Sequence, residues 1–258
     1  MTTGAITRYI DVAQIALYVF WIFFAGLIIY LRREDKREGY PLESGRSERS
    51  GGRVKVVGFP APPAPKTFRL AHGAPVTVPD AAKDAGAIAA TPTAAWPGAP
   101  LEPSGDPMRA AVGPGAYAAR LDVPDLTFEG EPKIVPLRAA PGFSVGTPET
   151  DPRGMAVVGA DRARGGTVRE LWVDRSEPQV RYLEIEAAGR TVLLPVALGR
   201  IDTYRREVRV RTILGGQFAG APGTARPDRV TRLEEERIAA YYAGGTLYAE
   251  PARSEPLL

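Results

Sequence analysis

Residues Val12 to Leu31 read VAQIALYVFWIFFAGLIIYL, and this stretch decides the architecture. It carries no charged side chain in 20 consecutive positions. At about 1.5 Å per helical residue the run reaches roughly 30 Å, the thickness of a bilayer's hydrocarbon core. A single segment crosses lipid only as a helix, because a helix satisfies its backbone hydrogen bonds internally. The Leu, Ile, Val and Phe residues outweigh the polar Gln14 near its start. The expectation is one membrane-spanning helix, with the rest of the chain placed relative to it. A cleaved signal peptide is the competing reading. It is opposed by the length of the run, the charges that follow it and the absence of a strongly basic leader.

Working outward, Asp11 and Gln14 have the spacing of a helix N-cap and capping box. Tyr9 and Tyr30 flank the span, where amphipathic rings favour the membrane–water interface. Trp21 lies mid-span. It reads either as one more lipid-facing ring or, with Gly26 allowing close approach, as a contact to a neighbouring helix. Arg32, Arg33, Lys36, Arg37, Arg46 and Arg49 follow the span, whereas Arg8 alone precedes it. The positive-inside rule then puts the N-terminus outside and the bulk of the chain in the cytoplasm. The helix is expected to continue through RREDKRE and stop near Gly39-Tyr40-Pro41. Arg32, Arg33, Lys36 and Arg37 read as a solvated helix end and also as a cluster that grips anionic lipid headgroups.

The remainder is long enough for one domain or two small ones. Against 33 basic side chains stand 30 acidic ones, so the net charge of +3 gives no argument for nucleic acid. There is no cysteine and one histidine, His72. That inventory removes disulfides and thiolate metal sites and makes the chain a poor metal or haem ligand on its own.

Between Gly58 and Pro107 stand 11 prolines and 5 glycines, which exclude regular helices and central strands. Interspersed Phe59, Phe68, Leu70, Val76, Val78 and Trp96 leave two readings: disorder, or an extended segment ordered on another protein's surface. The organisation expected is a tail over 1–11, the helix and its extension over 12–38, an extended Pro/Gly-rich segment over 39–110 and a β-rich domain over 111–258. Within that domain MAVVGAD, TVRELWVD, VRYLEIEA, RTVLLPVAL and EVRVRTI read as five short strands separated by turn signals. They predict a small, strongly bent sheet or partly closed barrel, with Pro195 at an edge or bulge. LEEERIAAYYA from Leu233 predicts a short helix ended by Gly244-Gly245.

No phosphate loop, nucleophile elbow or metal-ligand spacing is present, so conventional catalysis finds no support. Carboxylates remain. Asp174 and Glu177 flank a turn after Leu171-Trp172-Val173. An Asp at the first position of a type I turn caps the backbone, with Glu177 simply solvated. The other reading is a proton relay, which needs acids a few Å apart with raised or coupled pKa values. Glu129 and Glu131, flanking Gly130, read as a solvated loop or as a proton-gathering pair. Glu234, Glu235 and Glu236 sit at a helix start, where dipole stabilisation accounts for them.

The whole combination resembles the H subunit of the photosynthetic reaction centre of purple bacteria. The resemblance is carried by FWIFFAGLIIYL in the span, REGYPLE (Arg37–Glu43), PKTFRLAHG (Pro65–Gly73) and GDPM (Gly105–Met108). It continues through AVGPGAY (Ala111–Tyr117), KIVPLRAAPGF (Lys133–Phe143), ELWVDRSE (Glu170–Glu177), RYLEIE (Arg181–Glu186) and EEERIAAYYAGGTLYA (Glu234–Ala249). It implies a single transmembrane helix, a surface-lying segment and a mainly-β cytoplasmic domain of the PRC-barrel type with a short C-terminal helix. It further implies a non-enzymatic subunit that binds no pigment and caps L and M subunits in the photosynthetic inner membrane. Those partners carry bacteriochlorophyll, bacteriopheophytin, quinones and a non-haem iron; a tetrahaem cytochrome, a light-harvesting antenna and membrane lipids are further candidates. By the same resemblance Asp174 and Glu177 belong to a proton path to the secondary quinone, with Arg181 as a tuner. Glu129 and Glu131 stand where some relatives carry two histidines, which puts metal binding there in doubt. A membrane-anchored PRC-barrel adaptor unrelated to photochemistry is the alternative.

Overall fold

The Asp11 carboxylate accepts the Gln14 N–H at 2.7 Å, and the Asp11 N–H donates to Gln14 Oε1 at 3.3 Å. That reciprocal cap opens helix α1, Val12–Glu34, in the computed structural model of the chain. The structure describes residues 4, 6, 10–38, 42–43, 55–56, 58–71, 74–79, 88–96 and 99–254. Arg8, Tyr9, the Gly39-Tyr40-Pro41 stop, Arg46, Arg49 and His72 lie outside them. Two compact units are formed, Met1–Gly86 with Ala94–Ala99 and Ala87–Thr93 with Pro100–Leu258.

In the first unit no residue of α1 is buried, and the helix is long and apolar enough to cross a membrane. It leaves α geometry earlier than the sequence led us to expect. Asp35–Arg37 form one 3-10 turn and Glu38 is already extended. Side chains of this turn are engaged by the segment that follows. Lys36 Nζ donates to the Pro60 carbonyl at 2.6 Å, and Arg37 donates to the carbonyls of Ala64 and Val78 and to the Glu34 carboxylate. Short ladders follow: β1 (Leu42–Glu43) with β2 (Lys55–Val56), and β3 (Lys66–Phe68) with β4 (Val76–Val78). The Pro-rich stretch therefore has ordered parts without any helix or central strand among its described residues.

The second unit begins with the hairpin of β5 (Ala90–Pro92) and β6 (Leu101–Pro103). Its main sheet is built from β7 (Ile134–Pro136), β8 (Ala156–Val158), β9 (Arg164–Asp174), β10 (Gln179–Ala187), β11 (Arg190–Pro195), β12 (Gly199–Asp202) and β13 (Glu207–Val210). Strand order is β11-β10-β9-β8-β13-β12, with β7 on β9; β13 and β8 run parallel and the other pairs antiparallel. β9 curls the sheet into a half-barrel. One of its edges pairs with β10 along its length, while the other takes β8 at its start and β7 at its end. Register shifts in the β9–β10 and β8–β9 ladders add twist.

Seven strands thus stand where five were expected. The three-residue β7 was missed. The stretch RTVLLPVAL proved to be β11 and a 3-10 turn over Val196–Leu198, and β12, also missed, starts directly after it at Gly199. Pro195 closes the edge strand β11 and tips the chain into that turn. Trp172, Phe218, Tyr242, Met155 and Ile238 are fully buried in one core between sheet and helix α2, Arg232–Tyr248. Val173 faces the other way, onto Val135, Ala140 and Phe143, so the end of β9 is covered on both sides.

Helix α2 runs through Gly244-Gly245, which the sequence reading had placed at its end. A methyl group on Gly245 would meet Ile213 and the Thr212 carbonyl, and one on Gly244 would touch the Gly115 Cα. These glycines let the helix lie directly on neighbouring backbone, a packing use that outweighs their low helix propensity.

Candidate functional site

Pairing of β7 with the end of β9 puts Ile134 opposite Asp174, and so sets Lys133 beside that carboxylate. Asp174 is 1% exposed. Its Oδ1 accepts the N–H groups of Ser176 at 2.9 Å and Glu177 at 3.1 Å. This is the turn cap read from the sequence. Its Oδ2 lies 3.3 Å from Lys133 Nζ. A buried carboxylate is tolerable here because it has two backbone donors and a cation. Glu177 is exposed on the turn and accepts from Gln179 Nε2 at 3.2 Å.

Glu129 and Glu131 are brought to the same place. A tight turn, with Gly130 at φ 84, returns the Thr127 N–H to the Glu131 carbonyl. Arg175, next to Asp174, donates through Nε to the Pro132 carbonyl at 3.0 Å and stands 4.0 Å from the Glu131 carboxylate. Hydrogen bonds from its own backbone and from Thr127, with the nearby Arg175 charge, hold the Glu129 carboxyl below its ordinary value. Exposed and buried acids therefore share one end of β9, linked by Arg175 and Lys133.

The three glutamates that open α2 have three different settings. Glu234 completes a capping box with Thr231 and accepts the Ala225 N–H at 2.6 Å. Glu236 pairs with Arg120 at 2.6 Å. Glu235 turns toward the sheet and accepts the Tyr182 hydroxyl at 2.7 Å. Burial pushes the Glu235 carboxyl up, with help from the charges of Asp125 and Asp174, against the Tyr182 bond and the Arg181 charge. Arg181 is exposed on β10 and acts on Glu235 and Tyr182. Glu235 is the member of the cluster that helix-dipole reasoning missed. Its partner lies on a strand far along the chain, so no local signal marks it.

The sign of its effect on stability follows from which state holds the proton. An unfolded glutamate ionises near 4.5, while folded Glu235 keeps its proton to higher pH. Above 4.5 the unfolded chain binds fewer protons, so this residue lowers stability as pH rises until both states are ionised. Glu235→Gln keeps an acceptor for Tyr182 and removes that loss. The variant should melt higher than the unaltered chain at pH 7 and alongside it near pH 4, as read by circular dichroism.

Among the four cations of the helix end, Arg32 and Arg33 are exposed, whereas Lys36 is buried and Arg37 half-buried in the contacts described above. No group of three or more His, Cys, Asp or Glu side chains is arranged to hold a metal among the described residues.

Two family profiles match. One, described as the photosynthetic reaction centre H-chain N-terminal region, covers residues 4–139, and the PRC-barrel domain covers residues 149–216. The first spans α1, the Pro-rich stretch and β7; the second spans β8 to β13 and its half-barrel. With one lipid-length helix, a curled sheet and a cluster of acids at the end of β9, the chain belongs to the photosynthetic reaction centre H-chain family.

Proposed function

We propose that this chain caps the cytoplasmic face of the L and M subunits and supplies part of the proton path to the secondary quinone. The helix anchors it in the photosynthetic inner membrane with the N-terminus periplasmic, as the six cations after the span and one before it favour. Arg32 and Arg33 serve as headgroup contacts. Lys36 and Arg37 combine any such role with holding Pro60, Ala64 and Val78 to the helix end.

One observation carries the proton path: exposed Glu129, Glu131 and Glu177 lie at the same strand end as buried Asp174, whose charge helps raise the pKa of half-buried Glu235. Quinone reduction to quinol consumes two protons at a site shielded from water. Acids in series, with Lys133 beside Asp174 and Arg175 near Glu131, move protons through such a cover. Surface glutamates collect them, Asp174 with Glu177 passes them on, and Arg181 tunes the inner acid. Pigments, quinones and iron belong to the partners in this reading.

Replacing Glu129 and Glu131 together by Gln tests the outer end of the path. Proton uptake after the second flash should slow about tenfold, less than the roughly 10²-fold or more of a group positioned at the reacting atoms because this pair is open to water, and millimolar weak acid should restore it. Primary charge separation should keep its rate. Uptake that is unaltered at low buffer concentration would remove the pair from the path.

A further inference from the structure

The β12–β13 hairpin carries a second charged feature, unrelated to the acids. Val208 and Val210 point into the core, so Glu207, Arg209 and Arg211 share the outer face. Across the ladder Arg200 stands directly opposite Arg209, and Asp202 opposite Glu207. Like charges directly opposite each other weaken a sheet, so the Arg200–Arg209 register costs stability. The loop after β8 adds Arg162. This residue has φ 63, a conformation that non-glycine side chains adopt at a cost. It is held there by the bond from its N–H to the Gly159 carbonyl and by Asp161, whose Oδ1 accepts the N–H groups of Ala163 and Gly215.

These elements enclose a cleft of about 650 Å³. Its wall carries five arginines, 162, 200, 205, 209 and 211, against two carboxylates, Asp202 and Glu207. Both carboxylates are already engaged by one arginine. Arg209 lies 2.7 Å from Glu207 and 3.5 Å from Asp202. Asp202 also accepts the Arg205 N–H at 2.9 Å. Arg162, Arg200 and Arg211 have no side-chain ion pair or hydrogen bond among the described residues, and all three are exposed. A strained arginine, a repulsive cross-strand pair and three unpaired guanidiniums converge on one concavity.

We propose that this cleft binds a phosphate-bearing ligand through Arg162, Arg200, Arg205 and Arg211. Guanidinium forks match phosphate oxygens in bidentate pairs, and several forks on one concave wall favour a charge-dense anion over a single carboxylate. The volume falls within the roughly 300–1,000 Å³ of small-molecule sites. Soluble polyphosphates and phospholipid headgroups share this chemistry. The site is separate from the proton path and does not depend on it.

The test uses the intact pigment–protein complex in detergent and two probes, inorganic tripolyphosphate and dihexanoylphosphatidylglycerol below its micelle concentration. Calorimetry should show binding of one of them that weakens as salt is raised. The R162Q/R200Q/R211Q variant should bind at least about tenfold more weakly, as expected for loss of charge-assisted bonds, with primary charge separation unaltered. Tripolyphosphate binding lost in the variant identifies a soluble phosphorylated ligand, and lipid binding lost in the variant identifies a headgroup. Should the triple variant fail to assemble, R200Q alone relieves the repulsive pair, keeps the fold and should still weaken binding severalfold. Binding of neither probe, or binding that these substitutions leave intact, overturns the proposal.

Discussion

Neutralising the inner pair, Asp174→Asn with Glu177→Gln, should slow the proton-coupled second electron transfer by about 10²-fold, the lower end of what positioned proton-transfer groups contribute. The first, purely electronic steps should keep their rates. The geometry makes the experiment clean. Asn retains an oxygen that accepts the Ser176 and Glu177 N–H bonds now made to Asp174 Oδ1, so the turn survives. Glu177 is exposed, and Gln there removes a charge without leaving a cavity. Lys133 loses its counter-ion, but its side chain is 23% exposed and reaches water. The readouts are flash-induced quinone kinetics and proton uptake followed with an indicator dye. The single variants are informative as well. If the two acids act as alternates each single change costs little, and if they act in series each costs nearly as much as both. Uptake at the unaltered rate in the double variant would show that protons travel elsewhere.

Much of the architecture was readable in one dimension because its causes are local. An uncharged run of lipid length needs no partner to declare itself, and the Asp11–Gln14 cap acts over one helical turn. The alternation over Glu207–Arg211 told which side of β13 faces the core. What escaped was set by distant residues. β7 is three residues ending in a proline, and it exists because the end of β9 offers it an edge. Gly244-Gly245 looks like a helix stop until Gly115, Thr212 and Ile213 are seen against it.

The candidate site divides in the same way. Asp174 and Glu177 stood out by their turn, and the turn cap expected of Asp174 is present together with a buried ion pair. The capping and relay readings were posed as alternatives, yet one carboxylate has two oxygens and one of them makes the cap. Glu235 was hidden inside a run of three acids. Only the tertiary fold distinguishes it from Glu234, spent on a capping box, and Glu236, spent on Arg120. Lys36 and Arg37 likewise counted as headgroup cations beside Arg32 and Arg33. Carbonyls of the Pro-rich segment, far along the chain, engage these two as well.

The largest stability effect is expected at Lys133. Lys133→Met leaves the Asp174 carboxylate, whose side chain is 2% exposed, without its cation. Losing one partner of a buried pair costs about 3 kcal/mol or more, because the remaining charge stays desolvated. The two backbone N–H groups that Asp174 accepts keep the cost near the lower figure. Adding Asp174→Asn to Lys133→Met should recover most of the loss, since Asn needs no counter-ion and still caps the turn. A double-mutant cycle on thermal unfolding separates the two accounts. A coupling of a few kcal/mol means that the ion pair carries the end of β9. Additive losses would mean that Lys133 matters through its aliphatic stem, and that the charge on Asp174 is supported by the turn alone. The same cycle bears on the proposed path, because a cation and two amides fix the position of the Asp174 carboxylate. If Met at 133 weakens the fold but leaves proton delivery at full rate, the pair serves structure, and the route runs through Glu177 and Glu235 without it.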